Sequence, residues 1–487
     1  MVKQSIKCFA SLLMTLLLLG AIACTDSSSP PEPISIQDTP PLLQATTVSN
    51  NPEIPVEASP VVTMPTASPT LATAPQNTPT LAPTPTAVPD ATTVLADTPT
   101  PPTIVCQDGT QVVQSEYEAL LALSPPANAS AAENSFAWLV AECASQHVIS
   151  ISWHHMEGTA LPPQIGSFPY LIGLTIQGRD LASLPPEIGN LSSLDTLSIS
   201  SERLSSLPPE IGNLTNLAAL DLLSNTSLSS LPPEIGNLTN LNALFLAGNT
   251  SLSSLPPEIW NLRNLRYFSL SGSPNVTSLP PGISNLTNLT TLNLLYNGLS
   301  SLPSEIGRLP NLAVMELSEK NLISLPPEIG NLTTLNALSV VESSGLSSLP
   351  PEISNLTNLT YLYLFYNSLA SLPPEIWNLR NLDYLLIEGN PDLTSLPPGI
   401  SNLTNLTTLS LGYNNLSSLP PEIGRLPNLR NLLLAEDALT SLPPEIGNLS
   451  TLVELRIIGN GITSLPPELC AALPVGITLT PATLCTP

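Results

Sequence analysis

The sequence predicts an α/β solenoid: parallel strands along one face, short 3₁₀ or α turns along the other, and a disulfide-closed cap at each end. Three observations carry this. The phrase Leu-Pro-Pro-Glu-Ile-Gly-Asn-Leu-Thr-Asn-Leu recurs along the chain, with Leu-Pro anchors at Leu161, Leu184, Leu207, Leu231, Leu255, Leu279, Leu302, Leu325, Leu349, Leu372, Leu396, Leu419, Leu442 and Leu465. The steps are 23 or 24 residues, so thirteen repeats span 304 residues, 161–464. Within each copy leucines alternate with other residues over a short stretch, the period of a strand. Cysteines lie in pairs at the two ends of the array, Cys106 with Cys143 and Cys470 with Cys485.

Each repeat explains itself locally. In 217–225, Leu220 and Leu222 point one way and their neighbours the other. The return segment opens Pro208-Pro209-Glu210. Proline is tolerated in a first helical turn, and a carboxylate there meets the positive end of the backbone dipole. Gly212 is expected to limit continuation, which leaves a short turn. Ile211, Leu214 and Leu217 then meet the strand leucines. No copy buries its face alone, so stability comes from stacking.

The pattern Leu-x-x-Leu-x-Leu-x-x-Asn-x-Leu at this spacing resembles the leucine-rich repeat family. The Leu-Pro-x-x-Ile segment is most similar to its Ras-suppressor-type subclass. The resemblance implies a leucine-rich-repeat solenoid, with a curved sheet on the concave face and turns on the convex face. It also implies a ladder of asparagine amides that satisfy loop backbone groups, here Asn225, Asn249, Asn297, Asn367, Asn390, Asn414 and Asn460. Breaks fall at Arg179, Glu202, Ser273, Lys320, Ser343 and Asp437, where looser repeats are expected.

A longer period is superimposed. Trp260-Asn-Leu-Arg-Asn-Leu265 returns as Trp377-Asn-Leu-Arg-Asn-Leu382, 117 residues on, and Pro281-Gly282-Ile283-Ser284 as Pro398-Gly399-Ile400-Ser401. A block of five repeats was duplicated.

The ends need lids. Residues 106–160 are expected to hold the N-terminal cap, with helices over Gln114–Leu123 and Ala131–Ser145 and a first strand over Val148–Trp153. Glu116-Tyr-Glu-Ala-Leu-Leu-Ala-Leu123 is similar to the cap of plant-type leucine-rich-repeat proteins. Residues 465–487 close the other end.

Residues 1–23 read as a signal peptide: Lys3 and Lys7, an apolar run too short for a span, then Ala21-Ile22-Ala23. With Cys24 this resembles a bacterial lipoprotein signal, which implies lipidation of Cys24; plain secretion with cleavage before Cys24 is the alternative. Parity agrees with lipidation, because pairing the four cap cysteines leaves Cys24 over. Thr25–Val105 holds 81 residues with 18 prolines, no aromatic and no Lys or Arg. Such a tract cannot offset its ordering entropy, so 24–105 is expected to be a disordered linker that spaces the solenoid from a membrane.

A net charge of −25 argues against nucleic acid and anionic lipid as partners. The expected membrane contact is the N-terminal lipid alone, and the expected state is a monomer in the bacterial envelope. His147, His154 and His155 are the only histidines. Adjacent strand residues face opposite ways, so His154 and His155 do not converge on a metal. The Glu file at the anchors, Glu187 to Glu468, diverges on the convex side and suits helix starts and solubility better than calcium. No motif requires a cofactor, and no catalytic constellation is evident.

The remaining candidate is the concave face. Tyr361, Tyr363, Phe365 and Tyr366 crowd one strand segment, with Tyr384 and Tyr413 in the following repeats. Aromatics are enriched at binding hot spots. Glu316, Glu319, Glu342 and Glu388 border the patch and favour a basic partner. The expected function is a non-enzymatic binding module for a protein or peptide. A glycan-binding adhesin and a passive surface scaffold are the alternatives.

Overall fold

The computed structural model describes residues 111–123, 139–154, 158–465, 467–473 and 478–485. The signal segment, Cys24, the linker, Cys106 and His155 lie outside them.

The described chain forms one 16-stranded sheet in strict sequence order. Strands β2 (His147–Trp153) to β16 (Thr478–Thr480) are parallel. Register is set by the leucines: Leu220 faces Leu244, Leu244 faces Phe268, and Phe268 faces Leu292. A one-residue slip would expose every one of them. These leucines, the turn isoleucines such as Ile211 and Ile235, and the loop leucines are fully buried in a single continuous core. No described helix is long and apolar enough to cross a membrane.

The returns are 3₁₀ turns, mostly of five residues, such as Pro209–Asn213 and Pro233–Asn237. Their i→i+3 bonds are explicit: the Ile211 amide donates to the Pro208 carbonyl at 3.0 Å, and Leu214 to Ile211 at 3.2 Å. The reason for glycine here differs from the expected one. A Cβ on Gly212 would lie 2.6 Å from the Glu234 carbonyl oxygen and 2.8 Å from the Glu234 Cβ. At this copy the glycine admits the close approach of the next repeat; it is not needed to stop the helix, since the Pro351–Asn355 turn carries Ser354 there and ends at the same place.

That contact explains the Trp/Gly variants. Trp260 and Trp377 stand where eight copies of the anchor carry glycine and three carry serine, Ser284, Ser354 and Ser401, and both are buried. The following repeat then replaces its Glu by Gly282 or Gly399. A Cβ on Gly282 would lie 2.6 Å from Trp260 Cδ1, and one on Gly399 3.1 Å from Trp377 Cδ1. The pair Gly-then-Glu has become Trp-then-Gly, so the duplicated block carries a packing solution rather than two unrelated substitutions.

The asparagine ladder is present. Asn249 is fully buried; its Nδ2 donates to the Leu222 and Leu246 carbonyls at 3.0 and 2.7 Å, and its Oδ1 accepts from the Asn225 amide at 3.1 Å. Two expected breaks are corrected. At Glu202 and Lys320 the long side chain leaves the slot and the preceding residue fills it. Ser201 takes the Asn225 Oδ1 on its amide and donates to the Leu181 carbonyl at 2.8 Å. Glu319 is fully buried and accepts from Leu299 N at 3.0 Å and Asn297 Nδ2 at 3.1 Å. Asp437 accepts from Leu416 N at 3.3 Å, while its Oδ2 is buried without a partner.

A second amide file runs along the other loop. The Asn of Leu-x-Asn-Leu donates to the repeat before it: Asn240 Nδ2 to Thr215 O, Asn264 to Thr239 O, and Asn358 to Thr333 O, each at 2.8 Å. Where both files run, the repeats are bonded to their neighbours on both sides of the strand.

At the N-terminal end, helix α1 (Gln114–Leu123) occupies its expected span. The helix expected over Ala131–Ser145 is overturned where the structure describes it: Leu139–Ala144 is strand β1, antiparallel to β2. Ser145 and Gln146 both have positive φ, 52° and 75°, the signature of a two-residue primed hairpin turn. β1 thereby pairs the sheet edge that a helix would have left open. Buried Glu116 ties α1 to the hairpin, accepting from Val148 N at 2.7 Å and contacting His147 Nδ1 at 2.9 Å. Cys143 is disulfide-bonded.

At the C-terminal end, α2 (Pro467–Ala472), β16 and a last 3₁₀ turn (Ala482–Cys485) follow, with Cys470 bonded to Cys485. With the cysteines 15 positions apart, chain-entropy arguments give about 3 kcal/mol of stabilisation. Cys470→Ser with Cys485→Ser should therefore lower the melting temperature by several degrees; an unchanged melt would show the cap holds without it.

Candidate functional site

The concave face brings four of the six expected aromatics together. Tyr361 and Tyr363 lie on β11 (Tyr361–Tyr363), Phe365 follows it, and Tyr384 begins β12 (Tyr384–Leu386). Parallel register puts Tyr361 beside Tyr384. Their rings are stacked, with centroids 5.2 Å apart and planes 21° apart. Tyr363 stacks on Phe365 at 5.9 Å and tilts against Tyr361 at 6.3 Å. All four are half-buried. Burial pushes the Tyr363 phenol well up, and burial followed by the charge of Asp383 raises that of Tyr361.

The wall exists because its neighbours on β10 (Ala337–Val340) are small. Ala337 and Ser339 pair with Tyr361 and Tyr363, and both are buried. Beyond β12 the floor drops to Thr408 and Ser410.

Tyr366 and Tyr413 do not join the wall. They occupy the turn after the strand, each in the left-handed region, with φ of 55° and 58°. Tyr366 lies over Gly389, where a Cβ would come within 2.3 Å of its Cδ1. Tyr413 is 41% exposed.

The acidic border is also corrected. Glu316 is 2% exposed and Glu319 is fully buried, so neither offers surface charge. Desolvation pushes both carboxyls up to about 7, against hydrogen bonds from Asn293 to Glu316 and from Asn297 and Leu299 to Glu319 that act the other way. Glu388 is raised by burial and accepts a hydrogen bond from Ser410 Oγ.

Sequence reasoning missed an open groove of about 610 Å³ beside the wall. It runs along the N-terminal ends of β12 to β15 (Glu454–Arg456) and is lined by Asp383, Asn405, Thr407, Asn428, Arg430 and Thr451. The signal available was the residue preceding each strand, which forms its own file one step out from the tyrosines. Elsewhere, His154 Nδ1 meets Gln177 Oε1 at 2.9 Å, and His147 packs on Tyr170. Among the described residues no three metal-ligating side chains converge.

This repeat architecture, with a ladder-tied sheet presenting a side-chain face, defines a leucine-rich-repeat solenoid. The leucine-rich repeat region model matches residues 148–257, 253–347 and 341–432, and the chain belongs to this family. A leucine-rich-repeat protein of Leptospira interrogans is 34% identical, with 66% of this chain and 86% of that one aligned and a TM-score of 0.53. The PEPR1–AtPEP1 structure is 25% identical, with a TM-score of 0.50; the match covers 74% of this chain and 57% of that one. The Drosophila Toll–Spatzle complex shares the fold at 21% identity and a TM-score of 0.57, covering 66% of this chain and 48% of that one. No curated protein matches.

Proposed function

We propose that this chain is a non-enzymatic binding protein of a bacterial cell surface that presents its concave aromatic wall to a protein or peptide. Export follows from the signal-like N-terminus, and anchoring from a lipid on Cys24. The observation that carries the binding reading is the Tyr361–Tyr384 stack with Tyr363 and Phe365 beside it. These rings are half-buried by one another and by small neighbours, so they are rigid and face solvent on the side where a partner would dock. Rigid aromatic surface contributes affinity at low entropy cost. That AtPEP1 was solved with the leucine-rich-repeat relative PEPR1 supports the same mode of use.

The test is capture from native envelope and medium by the full chain. It is run beside a variant with Tyr361, Tyr363 and Phe365 changed to Ala. The expected result is a partner held by the first and lost by the second, with both folded by circular dichroism. Equal capture would place the site elsewhere. For the anchor, labelled palmitate should enter the protein and Cys24→Ser should abolish the label.

A further inference from the structure

The wall and the groove meet at one point, and the inference drawn there rests on the reading of this face as a binding site. We propose that Tyr384 and Asp383 receive an arginine side chain of the partner, the guanidinium lying on the outer face of the tyrosine stack with its charge met by the Asp383 carboxylate.

The stack has a free end. Tyr361 covers one face of Tyr384, but the residue paired with Tyr384 on β13 (Thr408–Ser410) is Thr408. Thr408 is buried and its hydroxyl accepts from Asn431 Nδ2 at 3.2 Å, so no ring continues the stack. Asp383 immediately precedes Tyr384 and lines the groove. Its Oδ1 accepts a hydrogen bond from Thr407 Oγ1, which fixes the carboxylate. The ion pairs found among the described residues do not include Asp383. Its charge acts on the same rings, being the next cause after burial of the rise at Tyr361.

A carboxylate beside aromatic faces attracts a cation twice, by charge and by the ring quadrupole. A planar guanidinium stacks on such a face better than an ammonium does. The net charge of −25 draws a basic partner to the surface. Arg430, two strands further along the groove, repels a cation there and so places the charged head at Asp383.

The experiment titrates the full chain, with ¹³C in its tyrosine rings, with acetyl-arginine amide and in parallel with acetyl-citrulline amide. Citrulline keeps the shape and loses the charge. Arginine should shift the Tyr361 and Tyr384 signals, with an affinity about tenfold above that of citrulline and falling as salt is raised. Asp383→Asn should bring arginine down to the citrulline level and leave citrulline binding and the melting temperature unchanged. Tyr384→Leu, which keeps an apolar side chain in place, should weaken both probes. Equal shifts from both probes at these tyrosines would overturn the choice of a cation while leaving the face as a binding surface. So would Asp383→Asn without effect on arginine. Shifts confined to other tyrosines, or none at either, would overturn the site together with the reading it rests on.

Discussion

Replacing Gly282 by Glu, the residue most repeats carry at that position, should destabilise the solenoid by about 4 kcal/mol. The added Cβ would meet Trp260 Cδ1 at 2.6 Å, and both the ring and the new side chain cannot occupy that space. Trp260 is buried and packs edge-on to Phe268 at 6.3 Å, so its displacement would also open the core. Trp260→Gly alone leaves a void and should cost about 3–5 kcal/mol. Together the two changes recreate the Gly-then-Glu contact seen at Gly212 and Glu234 and in several other repeats. Urea denaturation should then show the double variant about 2–3 kcal/mol more stable than the sum of the two single losses. Additive losses would sink the exchange. The same swap at Trp377 and Gly399 should be rescued less well, because Gly399 has φ of 111°, a conformation that favours glycine.

Acidification should stabilise the protein. Glu316 and Glu319 are raised from 4.5, and Asp437 from 3.8, each to about 7, in every case with burial as the largest cause. A carboxyl whose folded value lies above its unfolded one holds more protons folded than unfolded between the two. Stability therefore falls as pH rises from about 4 to 7 and is level above that. Each group contributes on the order of 2 kcal/mol, less for the half-exposed Asp437. Asp437→Asn restores the ladder amide. It should raise the melting temperature at pH 8, do little at pH 4, and flatten the profile between. A melt that climbs with pH, or an Asp437→Asn protein no steadier at pH 8, would contradict this.

The sequence made the fold legible because thirteen copies repeat the same leucine spacing, and stacking leaves few other ways to bury it. The strand alternation at Leu220 and Leu222 and the Pro-Pro-Glu turn starts each point to the local structure seen. What was not legible depended on neighbours. Lys320 sits at the ladder position in the sequence, yet the buried slot takes Glu319, because the slot excludes a lysine charge that has no partner. The Asn of Leu-Thr-Asn-Leu lies inside the repeated phrase, and only the stacked repeats reveal whose carbonyl it bonds. Leu139–Ala144 has too short an apolar pattern to separate strand from helix, and pairing with β2 decided it. At the candidate site, the Tyr361–Tyr384 neighbour relation followed from the repeat length. The departure of Tyr366 and Tyr413 into left-handed turns did not, because side-chain type gives little warning of positive φ in a tyrosine.

Hydroxyl-radical footprinting of the full chain, alone and with the fraction it captures, tests the concave-face assignment most directly. Protection at Tyr361, Tyr363, Phe365 and Tyr384, with the convex turns unchanged, is the predicted result. Protection of the convex turns with these four rings as reactive as before would contradict it.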